Sequence, residues 1–193
     1  MAIDVRLPSP RARRSDVRVG AVVAVAIAVA FVVWLLVRSS DSNTPSKAGT
    51  VAASGPLKTT ADKLRRLSDE LGHPIYWAGP VPDRTYELTR TSDDRIFIRY
   101  LPPDVPVGIR EAAYTIVGTY PVNNAYKVLQ QLAKKPGERS FSAPAGGFAV
   151  YSTGGASNVY LAFPGSNLQI EVFDPSPKRA HGLITSGQVA PVR

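Results

Sequence analysis

Val19 to Val37 reads VGAVVAVAIAVAFVVWLLV, without a charged or polar side chain. As a helix it reaches roughly 28 Å, close to the hydrocarbon thickness of a bilayer. In lipid, a single segment satisfies its own backbone hydrogen bonds only as a helix, so this run is read as a transmembrane span with the rest of the chain divided between two compartments. Trp34 stands near its C-terminal end, where an indole prefers the interface. Arg6, Arg11, Arg13, Arg14 and Arg18 precede the run and only Arg38 follows closely. The positive-inside rule then predicts a single-pass protein of the plasma membrane, with the basic tail 1–18 in the cytoplasm and the C-terminal part outside. The tail contains Pro8 and Pro10 and is too short for a domain, and its arginines suit anionic lipid headgroups. A cleaved signal peptide is the alternative. Against it, the apolar run exceeds the usual h-region of roughly 7–15 residues, and Val37-Arg38-Ser39 is not a small-x-small site. Ser46-Lys47-Ala48 is a more distant candidate for cleavage.

The formal net charge of +8 suggests nucleic acid until it is located along the chain. Much of the excess flanks the apolar run, and residues 61–193 are nearly balanced, which argues against a nucleic-acid partner. There are no cysteines, which excludes disulfides, thiolate metal sites and cysteine nucleophiles. Residues 38–60 are rich in Ser, Thr, Ala, Gly and Pro, and read as a flexible linker that stands the outer domain off the membrane.

Residues 61–193 read as one extracytoplasmic domain. Ala61–Leu71 predicts a helix, with Leu64, Leu67 and Leu71 on one face, Thr60 as N-cap and Gly72 past the end. Short strands are expected at Ile75–Trp77, Tyr86–Thr91, Arg95–Leu101 and Ala113–Tyr120, the second and third joined by a Ser92-Asp93-Asp94 turn. Val122–Lys135 predicts a second helix capped by Asn123. Phe148–Ser152, Val159–Phe163 and Leu168–Phe173 predict three more strands. A last helix is expected from Asp174 as N-cap, with Pro175 at its first position and Gly187 ending it. Hairpin spacing dominates, so the fold class is α+β: a largely antiparallel sheet with about three helices on one face.

No motif assigns a reaction, so no catalytic residue, cofactor or metal ligand is expected. His73 and His181 are the only histidines, each beside a glycine, with no carboxylate at ligand spacing. Ser166 sits in Phe163-Pro164-Gly165-Ser166-Asn167, a turn rather than a nucleophile elbow. Neither Gly146-Gly147 nor Gly154-Gly155 leads into a helix N-terminus, as a phosphate cradle requires. A glycosidase needs two converging carboxylates, and Glu87, Asp104, Glu171 and Asp174 are the available acids. Glu171, between Ile170 and Val172, reads as the solvent-facing residue of its strand. The most suggestive feature is aromatic: Tyr76, Trp77, Tyr86, Arg90, Arg99 and Tyr100 would form a binding surface if they shared an exposed face, while half-exposed strand tyrosines are the plainer reading.

The stretches Tyr76–Pro80, Tyr86–Thr91, Val159–Gly165 and Gln169–Pro175 resemble a group of uncharacterised single-pass membrane proteins of high-GC actinobacteria. The resemblance covers roughly residues 61–193. It implies a small extracytoplasmic α+β domain and assigns no functional residue. The leading expectation is a binding or accessory protein of the cell envelope, anchored in the lipid bilayer, with an envelope protein or glycan as partner. An envelope hydrolase and a single-pass signal transducer are the alternatives.

Overall fold

A computed structural model describes residues 54–193 of the chain. The expected tail, membrane segment and most of the linker lie outside the described residues. No helix among the described residues is long and apolar enough to cross a membrane.

Eight strands form one sheet: β1 (Ser54–Thr59), β3 (Thr85–Arg90), β4 (Ile96–Leu101), β5 (Ile116–Pro121), β6 (Glu138–Ala143), β7 (Gly147–Ser152), β8 (Asn158–Ala162) and β9 (Leu168–Phe173). Their spatial order is β1-β3-β4-β5-β9-β8-β7-β6, with antiparallel neighbours throughout. Strands β3 to β5 and β6 to β9 are each runs of sequential neighbours, β1 joins β3 across residues 60–84, and the halves join where β5 pairs with β9. Two short strands, β2 (Tyr76–Trp77) and β10 (Ala190–Pro191), form a separate antiparallel pair. The helices are α1 (Ala61–Leu71), α2 (Ala125–Leu132) and α3 (Pro177–Thr185).

Alternation along the strands defines two faces. Leu88, Ile96, Ile98, Val117, Ala149, Leu161, Ile170 and Val172 point to the first. Leu64 of α1, Ala180 and Ile184 of α3, and Ile75–Ala78 cover them. The second face is buried over its β7–β8 portion, where Ala125, Leu129 and Leu132 of α2 pack on Val150, Tyr160 and Ala162. The helices therefore lie on both faces of the sheet, not on one as expected. The register demands this: Leu161 and Tyr160 are neighbours on β8, both are buried, and they point to opposite sides.

α1 spans the predicted residues, capped by Thr60 Oγ1 accepting from Lys63 N at 3.3 Å and closed by Gly72 in the left-handed region. α2 is shorter than expected. Asn124, not Asn123, stands at its N-cap, without a side-chain cap bond, and its N–H donates to Asn167 Oδ1 at 2.9 Å. α3 starts later than expected, with Ser176 as N-cap and Pro177 inside the first turn. Asp174 orders the approach by accepting from Ser176 N at 2.8 Å and Thr115 Oγ1 at 2.6 Å. The end of the expected linker, Ser54–Thr59, is ordered as the edge strand β1. Gly55 and Pro56 disguise it, and the register shifts between Ser54 and Leu57, which suits an edge position.

Candidate functional site

On the second face, the half of the sheet without a helix is covered by the connection from β4 to β5. Arg99 fixes that connection. Its Nη1 and Nη2 donate to Ile109 O at 2.7 Å, and Nη2 reaches Glu111 O at 3.1 Å. The same Nη1 meets Glu87 Oε1 at 2.8 Å, and Glu87 Oε2 accepts from Gly108 N at 2.6 Å. Gly108 has φ +91, where a side chain would be strained. This arrangement brings exposed Ala112 to the rim of a cavity of about 190 Å³. Phe97, Ile116 and Phe173 supply its apolar walls, and Gly118, Tyr120 and Glu171 its polar end. For scale, a dry apolar cavity of about 150 Å³ holds benzene.

The polar end follows from one glycine. Gly118 pairs with Glu171 across β5–β9. A Cβ at Gly118 would meet Tyr120 Oη at 2.8 Å and the ring carbons at 2.9 and 3.0 Å. The phenol of Tyr120 thus lies back over Gly118, and its hydroxyl donates to Glu171 Oε2. Phe97, paired with Gly118 on the other side, holds the ring edge-on at 5.5 Å. Arg95 Cζ stands 5.6 Å from the ring centroid. Tyr160 stands opposite Glu171 on β8, buried beneath α2.

No ion pair holds Glu171 among the described residues, in contrast to Glu87. Burial raises its pKa, and the hydroxyls of Tyr120 and Tyr160 and the charge of Arg95 only partly oppose this. Burial and the nearby carboxylate raise both tyrosines as well, Tyr120 well above the ordinary value. Glu171 therefore keeps its proton to higher pH than an exposed glutamate does. While protonated, a carboxyl at the end of an apolar cavity can donate one hydrogen bond to a ligand. Glu171 does lie on the face opposite the larger core, but it is half-buried at the cavity and does not face solvent as expected.

The six residues expected as a binding surface do not share an exposed face. Tyr76, Trp77, Arg90 and Tyr100 are buried, and Tyr86 packs edge-on against both Trp77, at 5.7 Å, and Tyr100, at 5.3 Å. Tyr100 Oη accepts from Ala78 N at 2.6 Å and Tyr86 Oη from Val81 N at 2.9 Å, so these hydroxyls pin the 78–81 loop. Arg99 points to the other face of the sheet, into the Glu87 pair. Arg90 binds Asp94 with Nη2 at 2.6 Å.

Of the other acids, Glu87 and Asp174 are buried and hydrogen-bonded, while Asp104 is exposed. Glu171 is the one carboxylate lining its cavity. His181 stacks on Phe141 at 5.2 Å and meets Tyr151 edge-on at 4.2 Å; burial lowers its pKa. Among the described residues, no group of three His, Cys, Asp or Glu is placed to hold a metal ion. Sequence reasoning passed over Gly118 and gave Tyr120 no role. The available signal was a Gly-Thr-Tyr run inside an apolar strand, where an interior glycine marks a close approach.

Comparison with protein-family models, with curated proteins and with solved structures gives no match.

Proposed function

We propose that the chain is a membrane-anchored binding protein of the cell envelope, with residues 19–37 as the anchor and the described domain outside the plasma membrane. Its ligand is a small apolar group bearing a hydrogen-bond acceptor, taken into the cavity beside Glu171. A short acyl group with its carbonyl, or a tyrosine side chain of an envelope partner, has this chemistry. The observation that carries the reading is a lone carboxyl, held by phenols and not by a cation, at the end of an apolar cavity. Small-ligand sites have this character: apolar walls with a few placed polar groups. A raised carboxyl pKa in a cleft also suits a general acid. The two-carboxylate chemistry of glycoside hydrolysis needs a second acid beside it, and none lines this cavity. That favours binding over hydrolysis.

The test is a photo-crosslinking residue at Ala112 of the full-length protein in intact cells. The reading predicts a defined adduct that disappears when Ile116→Trp fills the cavity. An adduct pattern unchanged by Ile116→Trp would remove the cavity from the account. Turnover of an envelope substrate, abolished by Glu171→Gln, would replace binding with catalysis.

A further inference from the structure

We infer that the free edge of β6 pairs with the same edge of a second copy of the chain, antiparallel and about a two-fold axis at Ser140. The sheet has two edges, and they are not alike. β1 carries Gly55 and Pro56, and its register with β3 shifts between Ser54 and Leu57. Proline and a register shift keep an edge from recruiting another strand. β6 pairs with β7 over all six of its residues without a shift, and contains no proline, glycine or lysine. Arg139, Ser140 and Ser142 are exposed along it.

The neighbouring bonds fix which way its backbone points. Thr153 N donates to Gly137 O at 2.8 Å, so the residue just before β6 faces β7. In an antiparallel ladder this orientation alternates. Arg139 and Phe141 therefore turn their N–H and C=O toward β7, and Glu138, Ser140 and Ser142 turn theirs outward. Glu138 N agrees with this, since it donates back to Lys135 O at 3.2 Å. The open edge thus offers the N–H groups of Ser140 and Ser142 and the carbonyls of Glu138, Ser140 and Ser142. None of these has a backbone partner among the described residues. Such a row recognises an extended backbone.

Self-complementarity selects the occupant. With the axis at Ser140, this residue faces Ser140 of the second copy and exchanges two hydrogen bonds with it. Ser142 N–H meets Glu138 O of the second copy, twice by symmetry. Glu138 is then needed only as an acceptor, the role left to it by its occupied N–H. On the first face of the sheet, exposed Arg139 stands opposite the half-buried Phe141 of the second copy. On the second face, Glu138 stands opposite Ser142. No like charges oppose one another, and the two-fold interface closes on itself. Four bonds over a short overlap make a weak contact in dilute solution. Two copies held in one membrane meet at a far higher effective concentration. That concentration rests on the anchoring reading above, and the geometry of the edge does not.

The experiment uses the full-length protein in liposomes of phosphatidylglycerol and phosphatidylethanolamine. The chain has no cysteine, so one introduced thiol reports on its own neighbours. Facing residues of a hydrogen-bonded antiparallel pair have Cα atoms about 5.5 Å apart, within disulfide reach. Under mild oxidation Ser140→Cys should form a disulfide-linked dimer about tenfold faster than Leu57→Cys, on the β1 edge. A copy with Glu138→Cys should join a copy with Ser142→Cys, which reports the register. Ser140→Pro in both copies should slow that second reaction about tenfold, because two reciprocal bonds are lost. The proline takes no bond from β7, since the Ser140 N–H faces outward, so Tm should hold. Arg139→Asp, at an exposed position, should slow the same reaction about fivefold without touching the β6 backbone. Ile116→Trp should leave both reactions intact, so failure of the cavity reading is separable from failure of this one. Flotation of the chain with the liposomes tests the anchor separately. A Ser140→Cys dimer that forms no faster than the Leu57→Cys dimer would overturn the inference. So would a Glu138–Ser142 crosslink indifferent to Ser140→Pro and Arg139→Asp.

Discussion

Glu87 and Glu171 both stand mid-strand on the second face of the sheet, separated by β4 and β5, and they are held in opposite ways. Glu87 is 2% exposed, with Arg99 on one oxygen and the Gly108 N–H on the other. Every acceptor direction that matters is filled, the connection above it is locked, and no space is left for a ligand. Glu171 faces a cavity with phenols for partners and, among the described residues, no salt bridge. A buried carboxyl can be compensated by a cation or by keeping its proton. The first solution builds architecture. The second leaves a hydrogen-bonding carboxyl, with its pKa raised by burial, at the end of an apolar space.

The comparison breaks most sharply at Arg99. Arg99→Ala strands Glu87 with its charge in a site 2% exposed, and should cost about 3–5 kcal/mol in chemical denaturation. Because Arg99 also anchors Ile109 and Glu111, the rim at Ala112 should loosen, seen as faster amide exchange over residues 102–115. Replacing the pair together, Glu87→Leu with Arg99→Met, should recover much of the loss.

Gly118→Ala tests the other side. Its Cβ would stand 2.8 Å from the Tyr120 hydroxyl, so the ring must leave Glu171. A loss of about 1–3 kcal/mol is expected, with the cavity altered. Tyr120→Phe keeps the ring against Phe97 and removes only the hydroxyl, for about 1 kcal/mol.

The smallest effect carries the sign that distinguishes the two acids. With its folded pKa raised, Glu171 favours the native state while it holds its proton, below the ordinary value of 4.5. That contribution is lost as pH rises through the folded pKa. Glu171→Gln should therefore raise Tm slightly at neutral pH, and the gain should vanish below pH 4.5. A gain that persists in acid would mean that packing, not ionisation, separates the two side chains.

Much of the fold was legible. Leucine spacing, a threonine cap and Gly72 located α1, and alternating apolar runs between turn residues located β3, β4 and β7–β9. The missed strands are those whose partners, not their composition, make them strands. β1 carries Gly55 and Pro56 and is held by β3. β6, ERSFSA, has Phe141 as its one large apolar residue and is held by β7. The aromatic residues were visible, but one sequence does not show which face receives a second layer. Tyr100 became core because Tyr76 and Trp77 of β2 join the same cluster, and β2 is itself held by β10. Glu171 became a cavity acid because Gly118, on a strand distant in sequence, pairs with it and lets Tyr120 fold back.

The most direct measurement is the side-chain carboxyl titration of Glu171 by carbon NMR. It would use the full-length protein labelled at glutamate, assigned by difference from Glu171→Gln and repeated with indole as an apolar probe of the cavity. The account predicts a midpoint above 4.5 without indole, and higher still when indole displaces water from beside the carboxyl. A midpoint at or below 4.5, unmoved by indole, would contradict it: Glu171 would then be an ordinary charged side chain, and the cavity above it would not be a ligand site.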